Sequence, residues 1–103
     1  MYFRKEQYKK IYILKVDLRA VWVHSLKEKR MVVKSITSKL KNKFNISVAE
    51  IENQDIHQIV TIGIIGISLD QSICYSNKEN IINFIESNTD AEIINIDEDV
   101  LNI

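Results

Sequence analysis

From Tyr12 onward the apolar positions recur at every second residue: Tyr12, Leu14, Val16, Leu18, Ala20 and Trp22 share one side, and Lys15, Asp17 and Arg19 the other. That period predicts a half-buried strand with Tyr12 and Trp22 on its core side. The period then lengthens. Ser25 and Glu28 have the S-x-x-E spacing of a capping box, in which each side chain satisfies a free backbone N–H of a first helical turn. Leu26, Val33, Ile36, Leu40 and Phe44 follow at helical spacing and form one core-facing stripe, and Asn45 supplies a left-handed stop. Residues 46–51 predict a second strand, 52–55 a polar turn, and 57–69 a long β-branched third strand. Gly63 and Gly66 inside that strand suit close packing of a helix, or a bulge. Asp70 caps a second helix running to about residue 87, with Ile73, Cys74, Ile81, Phe84 and Ile85 turned inward. After a turn at 88–90, residues 91–97 predict a fourth strand.

Strand, helix, strand, strand, helix, strand is the order of the split βαβ unit: an α+β, ferredoxin-like βαββαβ fold, with four antiparallel strands and both helices on one face. In that topology the exit of the first strand and the turn between the second and third strands lie at one end of the sheet. The segment 24–30 is thereby brought towards 52–57. The third strand is apolar on both sides, with Ile59, Ile65 and Ile67 on one and Val60, Ile62 and Ile64 on the other. An open sheet face that is half apolar favours a homodimer through that face. Stacking of RNA bases across it, as in RRM domains, is disfavoured because Lys15, Asp17 and Arg19 occupy the face on the first strand.

The length of 103 residues suits one domain, read as 11–103 behind a basic N-terminal extension at 1–10. The most apolar window, 59–69, is much shorter than the ~20 residues of a membrane-spanning helix, and no secretory signal pattern precedes it. The single Cys74 has no disulfide partner within the chain and reads as a buried small hydrophobe. These features predict a cytoplasmic protein without a membrane segment. His24, His57 and Cys74 lack any closely spaced pair that would anchor a metal, so neither metal nor cofactor is expected. Ser25 beside His24 is a capping hydroxyl and not an activated nucleophile.

Charge changes the picture most. Thirteen of the fourteen Lys and Arg residues lie at or before Lys43, and eleven of the fourteen Asp and Glu residues at or after Glu50, so a chain of zero net charge has two oppositely charged halves. On the first helix, Lys27, Arg30, Lys34 and Lys41 project within about 60° of one another, while Lys39 and Lys43 fall on the opposite flank. A Lys-rich face is often no more than solvated surface. Here, however, Lys27, Lys29 and Arg30 sit in the first turns, where the helix dipole disfavours each cation by about 0.3–1 kcal/mol. Cations there, together with the free N–H groups beside His24 and Ser25, make a site for phosphate or carboxylate unless Glu52 or Asp55 compensates them internally.

The segments His24-Ser25-Leu26-Lys27-Glu28-Lys29-Arg30, Val32-Val33-Lys34-Ser35 and Phe44-Asn45-Ile46-Ser47-Val48-Ala49-Glu50 resemble the signature of the small bacterial YlxP-like family, over about residues 11–97. The resemblance implies a ferredoxin-like fold and no established biochemical activity. Family genes often neighbour those of translation initiation and ribosome maturation, which implies an RNA or ribosome connection by association. Gln54, Asp55 and Gln58 match the family pattern, and His57 stands where the family usually has Trp.

The leading expectation is a non-catalytic module that binds structured RNA, ribosomal by that association, through Lys27, Lys29, Arg30, Lys34 and Lys41 with Lys9 and Lys10 assisting. Gln54, Asp55, His57 and Gln58 form a candidate partner loop. A second expectation is a protein-interaction or homodimerising module whose basic helix meets an acidic surface. The third is an enzyme with a site at His24, Asp55 and His57.

Overall fold

The computed structural model describes residues 9–103. Most of the basic extension, at 1–8, lies outside the described residues. The element order is β1 (Lys10–Arg19), α1 (Leu26–Lys43), β2 (Ser47–Glu52), β3 (Ile59–Ser68), α2 (Gln71–Asn88) and β4 (Glu92–Asn102). The four strands form one antiparallel sheet in the order β2-β3-β1-β4, the ferredoxin-like arrangement. No helix among the described residues is long and apolar enough to cross a membrane.

The central strands β1 and β3 pair without interruption from Lys10 opposite Ser68 to Arg19 opposite Ile59. Alternation then decides the faces. Tyr12, Leu14, Val16 and Leu18 join Val60, Ile62 and Ile64 under the helices, where Ile36 and Leu40 of α1 and Cys74, Ile81 and Ile85 of α2 close the core. Leu26, Val33 and Phe44 are only partly buried, and the Phe44 ring meets Phe84 of α2 edge to face at 5.4 Å. Ile73, expected inward, is exposed at the start of α2. Ile65 and Ile67 lie on the helix-free face, as β3 alternation requires.

Several boundaries differ from the sequence reading. β1 begins at Lys10, inside the expected extension, and stops at Arg19; the Ala20 N–H still donates to the Gln58 carbonyl at 2.8 Å, and the chain then turns. Trp22 is therefore carried off the strand and is 42% exposed, not a core residue. The left-handed position is not at Asn45, because α1 ends in an extended Phe44; it is Asn53, at φ 59°, in the β2–β3 turn. β4 continues to Asn102, beyond its acidic run, since edge-strand carboxylates point to solvent or to cations such as Lys78, 2.9 Å from Glu98. The glycines admit neighbouring side chains rather than a helix: a Cβ on Gly66 would lie 2.2 Å from the Tyr12 ring, and one on Gly63 3.0 Å from Ile51.

Candidate functional site

The end of the sheet where β1 exits and β2 turns into β3 is built by three local devices. Ser25 caps α1, its Oγ accepting from the Glu28 N–H at 3.1 Å, and the Glu28 carboxylate reaches back to the His24 N–H at 3.4 Å. The Gln58 side-chain amide donates to the carbonyls of Val21 at 2.9 Å and Val23 at 3.1 Å, joining the β1–α1 loop to β3. Lys29 crosses from α1 to β2, where its ammonium lies 3.0 Å from Glu50 Oε2 and donates to the Asn53 carbonyl. The Asn53 amide in turn donates to Thr61 Oγ1, whose hydroxyl donates to Asp17 at 2.6 Å.

Internal partners correct several assignments. Lys29 is 2% exposed and satisfied from within, so its ammonium is closed to an outside anion. The compensating acid is Glu50, one pleat before the expected Glu52; Glu52 pairs instead with Lys15 at 2.8 Å, a hydrogen bond that raises the Lys15 pKa. Gln58 spends its amide on the loop carbonyls and is a structural residue more than a partner contact. Lys10, expected to assist with anions, is likewise buried and donates to Asn102.

The remaining cations are open. Lys27, Arg30, Lys34 and Lys41 are all exposed, and none forms an ion pair among the described residues. Their ridge runs about 21 Å along α1, at ~1.5 Å rise per residue. Lys39, on the other flank, donates to the Asn88 carbonyl of α2 at 3.3 Å, so the ridge is the flank turned away from α2. Clustered exposed cations of this kind sustain a positive potential that attracts polyanions.

His24, Asp55, Ile56, His57, Gln58 and Val23 line an open groove of about 480 Å³ at the same end. The fold therefore brings His24, Asp55 and His57 together, with Gln54 exposed beside them. Among the described residues no hydrogen bond joins these side chains, and no group of three His, Cys, Asp or Glu side chains is placed to hold a metal ion. Cys74 is buried in the core.

Trp22 escaped the sequence reading because its position continues the period of β1. With Met31, Val32, Ser35 and Lys39 of α1 and residues 88–90, it lines a second groove of about 430 Å³.

A family model described as "Protein of unknown function (DUF503)" matches residues 11–98. The "Uncharacterized protein YlxP" of Bacillus subtilis (strain 168) is 38% identical over 68 residues, spanning 66% of this chain and 74% of that protein.

Proposed function

This chain belongs to the DUF503 family, whose function is unknown, and we propose that it is a non-catalytic RNA-binding module, with structured ribosomal RNA as the class of ligand. The observation that carries the reading is the ridge of Lys27, Arg30, Lys34 and Lys41, exposed and without ion-pair partners among the described residues. Two of these cations, Lys27 and Arg30, sit against the positive end of the α1 dipole, an arrangement that an external anion relieves. Phosphate oxygens supply that anion at regular spacing along a backbone. Binding by this route positions the protein without reading bases, and its affinity falls steeply with salt.

The test is a salt titration of RNA affinity for the full chain and for the Arg30→Glu/Lys34→Glu variant. Loss of two phosphate contacts makes the slope of log K against log salt less negative by about 1.5–2. Unchanged affinity and slope in that variant would discard the reading.

A second reading, association with protein, rests on a different observation. On the helix-free sheet face, Ile65, Ile67 and Leu101 are exposed close to one another across β3, β1 and β4. A second copy of the chain placed face to face would cover them, and an acidic partner surface would suit the α1 ridge. Sedimentation that gives only monomer at micromolar concentration removes the homodimer. Affinity capture after nuclease treatment separates the two readings, because only an RNA tether is lost.

A further inference from the structure

Trp22 is the single tryptophan of the chain and stands outside the core, 42% exposed, beside Met31 at 68%. Leaving an indole and a thioether in water forgoes the burial that normally keeps such side chains inside. Together they form the apolar wall of the groove between α1 and the α2–β4 turn, about 430 Å³ in volume. The opposite rim is polar, with Asn88, Thr89 and Asp90. Around the α1 axis, Met31 projects about 40° from Lys27 and about 60° from Lys34, so the basic ridge begins where the apolar wall ends.

A ligand that fits both parts has a flat apolar face, a hydrogen-bonding edge and an adjoining negative charge. We infer that this groove takes an unpaired base of a single-stranded RNA segment, stacked on the Trp22 indole, while the phosphates beside that base lie on Lys27 and Lys34. An acidic peptide with an aromatic side chain shares the flat face and the charge. Its ring offers Asn88 and Asp90 few hydrogen-bonding groups, where the edge of a base offers several donors and acceptors, which favours the nucleotide. The inference rests on the RNA-binding reading and adds to it a point at which a base, and not only phosphate, is held.

Because there is one tryptophan, its fluorescence reports this groove alone. Titrating the full chain with a short single-stranded RNA is expected to quench Trp22 saturably. Trp22→Ala is expected to lose about tenfold in affinity with its salt slope unchanged, and Trp22→Phe to keep most of the affinity, as stacking on any aromatic face predicts. Thermal melting of both variants checks that they remain folded. Binding that depends on Arg30 and Lys34 but neither quenches Trp22 nor weakens in Trp22→Ala overturns the base site and leaves the phosphate ridge standing. Failure of any RNA to bind overturns both. Quenching by an acidic aromatic peptide with no response to RNA assigns the groove to a protein and also overturns the inference.

Discussion

The ammonium of Lys29, 2% exposed, lies 3.0 Å from a carboxylate oxygen of Glu50, whose side chain keeps 21% of its exposure. This pair fastens the first helix to an edge strand at the point where an apolar contact would ordinarily do so. Breaking a buried pair costs more than the pair is worth, because the surviving charge has lost its water and its partner. Lys29→Met is therefore expected to destabilise the fold by about 3 kcal/mol, measured by urea denaturation. Lys29→Met/Glu50→Leu should regain most of the loss, since neither charge then remains inside. Where the single variant is folded, its RNA affinity should match the parent's, because Lys29 does not reach the surface.

Gly66 faces Tyr12 across the β1–β3 pair, and there is no room between them for a methyl group. Gly66→Ala is expected to cost about 2 kcal/mol by overpacking, read as a lowered denaturation midpoint. Adding Tyr12→Leu, which removes the ring atoms that the methyl would strike, should make the two changes less than additive. An additive result would mean that the strand moves to accept the methyl.

Burial first, and then the neighbouring Cys74, raise the Tyr12 phenol above its ordinary pKa of 10.0, with a hydrogen bond from Asn77 acting in the other direction. In the unfolded chain the same phenol ionises at its ordinary value. Its contribution is fully present below that value and is lost as pH rises through the folded one. Stability should decline across that alkaline window, with part of the decline absent in Tyr12→Phe. Ultraviolet titration of the native protein should show a tyrosine step above the ordinary range that Tyr12→Phe removes.

Gln58 holds two loop carbonyls with one amide group. Gln58→Ala should cost about 1–2 kcal/mol, since both bonds are lost. The looser β1–α1 loop should appear as faster amide exchange at Ala20 and Val23, whose N–H groups donate to Gln58 and Ala20. It should also lower the fluorescence anisotropy of Trp22, which lies between the two anchored carbonyls.

Most of the fold was legible in the chain because local signals agreed with the global one. The alternation from Tyr12 to Leu18 located the central strand, and Ser25 and Asp70 each accept the N–H that a cap should, at 3.1 and 2.9 Å. Strand ends were harder. Ala20 and Trp22 continue the strand period although the backbone turns after Arg19, and periodicity alone cannot register a turn. The acidic run at Asp97, Glu98 and Asp99 reads as the close of a strand but is compatible with an outer one.

The candidate site was legible as a location and less so as a set of side chains. Topology brought His24 towards Asp55 and His57, as their shared groove bears out. Charge alone places Lys29 among the anion-binding cations. Its projection, within about 20° of Ile36 on the helical wheel, was the better guide, since that angle falls inside the apolar stripe. Its partner depended on an irregularity: Glu50 and Glu52 would share a face of a regular strand, but the pairing with β3 shifts register between them, so Glu50 meets Lys29 while Glu52 turns to Lys15, and alternation alone does not signal such a shift.

Lys29 anchoring the turn at Asn53 and Gln58 anchoring the loop at Val21 and Val23 have one joint effect. Two segments that would otherwise fluctuate independently are stitched to a common frame before any visitor arrives. A ligand reaching this end of the molecule meets a rigid mould, and little of its attraction is consumed in quieting the host.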